Sequence, residues 1–328
     1  MISVKENLHH TAFRAMNTDI EVAYFNDSER FDLEDQVRDW FEFVEERFSR
    51  FRPQSELSYL NRSAGRICMV SETMLEVLRL ADSYRARTDG MFNPLILKAL
   101  RAAGYDATFD QVRQRPGYRS TSEPDSISMD GAWELDPAMK SVRLPLQAEI
   151  DLGGIVKGWA VSRLARWMRE AWAVPCGMVN AGGDLAVWGA SPRNKEQSWL
   201  IGIQNPWNPG EDAGVLHLKE GAAATSSTLG RQWLTQNSVM HHLIDPRTMS
   251  PSRSDVVQCT VAGSDAVECE IWAKTICIAG LEHGLSLFRA EAAGCEALLF
   301  LRDGRTHFIG ANASPAVRWQ LPTATLRH

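Results

Sequence analysis

Residues 149–168, EIDLGGIVKGWAVSRLARWM, constrain the fold more than any other stretch. An apolar approach ends on Asp151. Gly153, Gly154 and Lys157 follow, and apolar residues then recur at helical spacing. Such a run folds as an extended approach, a tight turn and an amphipathic helix. In the ordinary account, Asp151 caps the turn and the glycines adopt backbone conformations that a Cβ would hinder. A second account adds a ligand. A helix N-terminus presents free N–H groups and the positive end of its dipole. The glycines admit close backbone approach and Lys157 adds a point charge, so an anion fits there. No GxGxxG or P-loop spacing occurs.

The remaining patterns predict an α+β chain with antiparallel sheets and packed helices. TAFRAMNTDIEVAYF reads as a strand or hairpin. FDLEDQVRDWFEFVEERFSRF reads as a helix with Leu33, Val37, Trp40, Phe41, Val44 and Phe48 on one face. RPQSELSYLN is a turn and short helix. SETMLEVLRLADSYRARTDG is a helix capped by Ser71 and closed by Gly90, and MFNPLILKAL begins another. Residues 106–124 read as an exposed irregular excursion, and WELDPAMKSVRL as a hairpin. After the 154–172 helix, GMVNAGGDLAVWG is expected as a strand. WLIGIQNP, VLHLKEGAAATSS, MHHLIDP and VQCTVAG join it in an antiparallel set. Helices AVECEIWAKTICIAG and 281–291, then a hairpin EALLFLRDGRTHFIG, complete the pattern. Strands and helices are segregated, which argues against a doubly wound parallel sheet. We expect one domain over residues 1–328, with a core at 11–310 and a tail at 311–328.

Charge and cysteine usage exclude several classes. Lys and Arg total 35 against 41 acidic residues, a net charge of −6 without a basic run, so no nucleic-acid partner is expected. No stretch approaches the length of a membrane span. MISVKENLHHTAFRAMNTDI has neither an apolar leader core nor a cysteine for lipid, which predicts a cytoplasmic protein without a membrane anchor. The six cysteines form no CxxC pair and read as buried free thiols.

Four stretches carry the candidate chemistry: DLGGIVKG, NAGGDLAVWG, ATSSTLGRQW and HHLIDPRT. Gly182 and Gly183 suit a second close-approach turn. Thr225, Ser226 and Ser227 offer hydroxyls, with Arg231 nearby, and His242 and Asp245 precede a proline turn. Each alone has a structural account as a turn, a cap or a core histidine. Together they suit a phosphate-bearing ligand.

The order of the pieces adds to this. FRAMNTDIEV, SRFRPQSELSYLN, DGMFNPLI, IDLGGIVKGWAVSRLA, VNAGGDLAVWG, ATSS, HHLIDPRT and CTVAGSDAVECEIWAKTICIAG follow one another over residues 11–310. This succession resembles the FAD:protein FMN transferases, the ApbE-like flavin transferases. The resemblance implies a T-fold-related architecture with an FAD cleft between two subdomains. It also implies FAD as substrate and magnesium as the usual metal. FMN would pass to a threonine or serine of an acceptor flavoprotein, and AMP would leave. It places Met16, Phe51, Met91, Phe92, Asn93, Asp151, Gly153, Lys157, Gly182, Gly183, Thr225, Ser226 and His242 around the dinucleotide. It assigns the metal to Gly154, through a main-chain oxygen, and to Glu270 and Ala273. His242 or Asp245 would guide the attacking hydroxyl, and the sequence does not choose between them.

The chain departs from that family in MNT for MGT, Asn93 for aspartate, TSST for TSGD, and no glycine after PRT. The sharpest departure is Glu270 and Lys274, where the family carries a metal-facing aspartate and threonine. Glutamate still offers oxygen to magnesium, whereas an ammonium has no lone pair to give. In one account the two form an exposed i,i+4 helix pair. In the other, favoured because Ile271, Trp272 and Ile276 surround them, Lys274 points inward and its ammonium partly replaces the metal. A third keeps a metal on Glu270 and backbone oxygens. An altered metal site also leaves room for an FAD-storage protein, an FAD pyrophosphatase or a binding module that keeps only the fold.

Overall fold

The computed structural model describes residues 8–25, 33–115, 132–191, 197–236, 238–310, 317–321 and 325–327. A hairpin of β1 (Leu8–Ala15) and β2 (Thr18–Phe25) leads into α1 (Leu33–Phe48), α2 (Glu56–Arg62), β3 (Ile67–Met69) and α3 (Glu72–Arg87). Short helices α4 (Leu97–Ala102) and α5 (Phe109–Arg113) follow. Then come the hairpin β4 (Glu134–Asp136) and β5 (Ser141–Arg143), and α6 (Val156–Glu170). The second half runs β6 (Cys176–Ala181), β7 (Asp184–Trp188), β8 (Trp199–Gln204), β9 (Asp212–Leu218), β10 (Gly221–Ser227), β11 (Gln232–Leu234), β12 (Val239–His241), β13 (Ile244–Asp245), β14 (Ser250–Pro251) and β15 (Val256–Gly263). It ends with α7 (Ala266–Ala279), α8 (Leu281–Glu291), β16 (Glu296–Leu301), β17 (Thr306–Ile309), β18 (Val317–Gln320) and β19 (Thr325–Arg327).

Nine strands form the central sheet in the order β1-β2-β6-β7-β10-β15-β16-β17-β19, antiparallel except for the last pair. Its inner face packs against α7, α6 and α1 in the main core. Its outer face is covered by a three-stranded sheet, β18-β9-β8, over a second core that includes Phe25, Trp199, Leu216 and Phe300. The α1 stripe buries Leu33, Val37, Phe41, Val44 and Phe48, as its spacing predicts, while Trp40 is half-buried and donates to the Ala160 carbonyl at 3.1 Å. Ser71 caps α3 by accepting from Met74 N, and Asp265 caps α7 by accepting from Val267 N and Glu268 N. α7 is buried on nearly every face, which leaves little room for an exposed charge pair along it.

The structure departs from the sequence reading in four places. GMVNAGGDLAVWG is a two-strand hairpin, because Gly182 and Gly183 (φ 66° and 96°) reverse the chain between Ala181 and Asp184. WLIGIQNP and VLHLK lie in the outer sheet rather than the central one. The excursion after residue 105 contains α5, with Tyr105 and Val112 buried in a third, small core beside Trp233 and Ile244; its residues 116–124 lie outside the described residues. The segment read as a tail supplies β18, which pairs with β9, and β19, which pairs with β17. Trp319 anchors β18 by packing on Phe308 and donating to Glu296 at 2.7 Å. All six cysteines are free and buried. Among the described residues, no helix is long and apolar enough to cross a membrane.

Candidate functional site

A cavity of about 490 Å³ opens where the β1–β2 turn, the end of α1, the α3–α4 segment, the mouth of α6, α7 and the stretch before β13 converge. Six cations line it (Arg14, Arg50, Arg52, Lys157, Arg231 and Lys274) against two carboxylates, Glu45 and Asp151. Its apolar walls include Met16, Phe48, Phe51, Met91, Phe92 and Ile278. Its size suits a small-molecule site, and its charge balance suits an anionic ligand with flat apolar parts.

The turn at the α6 mouth is built by Asp151. Its Oδ1 accepts from Gly153 N at 2.8 Å, and its Oδ2 pairs with Arg50 Nε at 2.6 Å. Asp151 thus holds the glycine turn that precedes the helix, and Ile155 stands at the N-cap without a side-chain cap. Arg50 also donates to the Tyr105 carbonyl at 2.8 Å and lies over the rings of Phe51 and Tyr105. At Gly154, an added Cβ would stand 3.0 Å from Lys274 Cε and 3.5 Å from Phe92. The missing side chain is therefore the space that the Lys274 stem occupies. Gly158 has a different task, since a Cβ there would meet the Ala266 carbonyl oxygen at 2.6 Å. Its absence lets α6 close on the start of α7.

Beneath this mouth lies a buried charge cluster. Lys157 Nζ donates to Asp184 and to Glu270 Oε1 at 2.8 Å. Glu270, 1% exposed, accepts from Gly158 N at 2.9 Å through Oε2, and its Oε1 lies 3.6 Å from Lys274 Nζ. Burial alone would lower the Lys157 pKa; the Asp184 and Glu270 carboxylates outweigh it and hold it above the ordinary lysine value. Burial likewise pushes Glu270 up, but Lys157 and Lys274 bring it below the usual glutamate range. At Asp184 burial wins over the pull of Lys157, and its pKa is raised. Lys274 lines the cavity rather than lying on an exposed helix face. Ala273 is buried and lines no part of the cavity. This donor set does not fit a divalent ion. Both Glu270 oxygens already face N–H donors or ammoniums, and among the described residues no group of three His, Cys, Asp or Glu could hold a metal.

The β1–β2 turn reaches the cavity through Met16 and Asn17, whose φ values of 52° and 58° make a two-residue hairpin loop between Ala15 and Thr18. Asparagine tolerates the left-handed position where glycine is usual in the motif. Glu45 accepts from Met16 N at 3.1 Å, and the Asn17 amide nitrogen is buried without a partner among the described residues. His242 lines the cavity with a buried Nδ1 that also has no partner among the described residues. Burial, then the nearby Arg231 and Lys274 cations, push its pKa well below the ordinary value, so the imidazole is neutral. Its neighbour His241 is held by the Ser252 carbonyl at 2.9 Å.

Phe51, Met91, Phe92, Asn93, Asp151, Gly153, Gly154, Lys157, His242 and Lys274 join Met16 around the cavity. Other expected residues do not. Asp245 turns to Arg247 at 2.7 Å. Thr225 and Ser226 lie within β10, where Thr225 bonds Thr260 at 2.8 Å. Gly182 and Gly183 form the β6–β7 turn, where Gly182 N donates to Asp19 O at 2.9 Å and packs beside Thr18. Sequence reasoning missed Arg50, Glu45, Tyr105 and Asp184 as parts of the site. Arg50 lies within SRFRPQSELSYLN but drew no role from it, Tyr105 had no motif, and the roles of both arise from folding distant segments together.

The ApbE family sequence model matches residues 16–299. The FAD:protein FMN transferase of Klebsiella pneumoniae (strain 342) is 25% identical over 249 residues, 73% of this chain and 72% of its own length. That of Treponema pallidum (strain Nichols) is 24% identical over 271 residues, 77% of this chain and 73% of its own. The ApbE protein of Thermotoga maritima shares the fold with a TM-score of 0.81 at 22% identity, covering 92% of this chain and 96% of that one. A Pseudomonas stutzeri flavinyl transferase, ApbE, in its apo form shares it at 0.78 and 18%, covering 99% and 97%.

Proposed function

This chain belongs to the ApbE family, and from that premise we propose that it is an FAD:protein FMN transferase. FAD is the substrate and a flavoprotein the acceptor. The acceptor's threonine or serine oxygen forms a bond to the FMN phosphorus. The P–O bond to the AMP half breaks, AMP leaves, and the hydroxyl proton passes to a base. The observation that carries this reading is the family match, which spans all of the cavity lining except Arg14 and Ala15.

Phosphoryl transfer asks mainly for positioning and charge neutralisation. Arg231 and Lys274 neutralise the diphosphate, and the apolar walls at Met16, Phe51, Met91 and Phe92 take the ring systems. His242 receives the hydroxyl proton; its neutral imidazole in the cavity, with an Nδ1 that has no partner among the described residues, supports that role, and the position of Asp245 outside the lining supports it further. No step is assigned to magnesium, whose oxygen-rich coordination the Glu270 surroundings do not match. Six buried free thiols suit a reducing compartment, and this reading places the chain in the cytoplasm. The test is incubation with FAD and a flavoprotein acceptor, followed by intact mass. A covalent FMN adduct on the acceptor is expected. Free FMN and AMP beside unmodified acceptor would replace transfer with hydrolysis, and unchanged bound FAD would replace it with storage.

A further inference from the structure

Lys274 sits where the cavity meets the buried charge cluster. Its stem fills the space left by Gly154, with Cε 3.0 Å from the position a Cβ would take there, so its head has little freedom. Its Nζ lies 3.6 Å from Glu270 Oε1, whose stronger partner is Lys157 at 2.8 Å. Glu270 Oε2 is taken by Gly158 N at 2.9 Å, and Asp184 by Lys157. Two ammoniums thus face two carboxylates. Both lysines line the cavity with 15% of their side chains exposed, but Lys157 is held by close contacts to both carboxylates, whereas Lys274 makes the longer contact to Glu270. A divalent ion beside Glu270 would have to displace an N–H donor from a saturated carboxylate and lie against an ammonium that offers no lone pair.

We infer that the Lys274 ammonium supplies the positive charge that a divalent cation would bring to the ligand's diphosphate, so that this chain binds and cleaves its dinucleotide without a metal ion. The inference rests on the flavin reading above. An ammonium held by packing stabilises phosphate oxygens in the ground state and the charge that shifts onto them as the P–O bond breaks. It neutralises one charge where a divalent ion neutralises two, and Arg231, in the same lining, supplies a second.

The experiment is FAD titration by flavin fluorescence, and AMP release in the presence of a flavoprotein acceptor, on the full chain in EDTA and in excess MgCl₂. Calorimetric titration of MgCl₂ into the FAD-loaded protein accompanies it. The wild type is expected to bind and cleave FAD equally in both buffers and to give no saturable magnesium heat. Lys274→Thr is expected to lose at least about tenfold in FAD affinity in EDTA, the scale of one charge-assisted hydrogen bond, and to regain part of it with MgCl₂. Lys274→Arg keeps the charge and is expected to stay metal-independent. Wild-type binding or AMP release that appears only with MgCl₂, or a saturable magnesium heat in the wild type, overturns the inference and leaves the transferase reading intact. No FAD binding in either buffer overturns the flavin reading and the inference with it. The wild-type comparison decides by itself if a variant fails to fold.

Discussion

Replacing Lys157 with methionine keeps the length of the side chain and removes its charge. The cluster then loses the cation that pairs with both Asp184 and Glu270, while Lys274 remains 3.6 Å from Glu270 alone. Removing one partner of a buried pair costs about 3–5 kcal/mol, because the other charge stays buried. The pH dependence follows from the shifts. Lys157 has a raised folded pKa, so its contribution is complete below the unfolded lysine value and is lost only in strong alkali. Glu270 has a lowered one, so its contribution is present above the unfolded glutamate value and is lost only in acid. Asp184 is pushed up to about 6, and its proton is gone above that. Asp184 is therefore about half ionised at pH 6, and the wild-type cluster is almost fully ionised by pH 8. In Lys157→Met the largest influence lowering the Asp184 pKa is gone, so that pKa rises further and the folded state holds more of the Asp184 proton than the wild type does through that window. A proton bound in the folded but not the unfolded state makes stability fall by about 1.4 kcal/mol per pH unit. The deficit should then grow from pH 6 to 8, by at most about 2 kcal/mol, because the wild type also loses part of an Asp184 proton near pH 6. Urea unfolding of both proteins across this range, followed by tryptophan fluorescence, measures it. A deficit under about 1 kcal/mol at pH 7, or one that stays flat with pH, would refute the claim that Lys157 neutralises this cluster.

Three further outcomes are expected. His242→Ala should lower turnover by about 10²–10⁴-fold while FAD affinity changes little, measured by AMP release beside fluorescence titration; weaker binding with unchanged turnover would make His242 a binding residue. Gly158→Ala places a Cβ 2.6 Å from the Ala266 carbonyl oxygen, a backbone atom that cannot rotate away, so α6 and α7 must separate. The urea midpoint should fall by an amount equivalent to about 1–3 kcal/mol, and an unchanged midpoint would mean that the helices shift freely. Arg50→Lys keeps the charge but loses the planar group that lies over Phe51 and Tyr105 and pairs with Asp151, so FAD binding should weaken by about tenfold; affinity within twofold of wild type would assign Arg50 to charge alone.

Much of this protein is set by local pattern. The α1 stripe, the Ser71 cap and the strand alternation are properties of residues a few positions apart, and short-range sterics and hydrogen bonding decide them. The DLGGIVKG turn was legible for the same reason, since glycine, aspartate and a helix-forming run interact within one turn of chain. Its partners were not. Arg50 reaches Asp151 across about a hundred residues, and Lys157 reaches Glu270 across more, so only the packing of α6 on α7 brings these charges into one buried cluster. Thr225 and Ser226 show the converse: a hydroxyl run that suits a binding loop lies inside β10, because pairing with Thr260 and Cys259 of β15 claims that backbone. The orientation of Lys274 was likewise undecided by spacing, because an i,i+4 pair with Glu270 is compatible with any face of a helix. Burial of nearly the whole of α7, and the gap left at Gly154, turn that lysine into the cavity. Sequence determines which groups are present and how each turn of chain folds. Tertiary packing decides which charges share a low-dielectric space, and the chemistry of this site depends on that sharing.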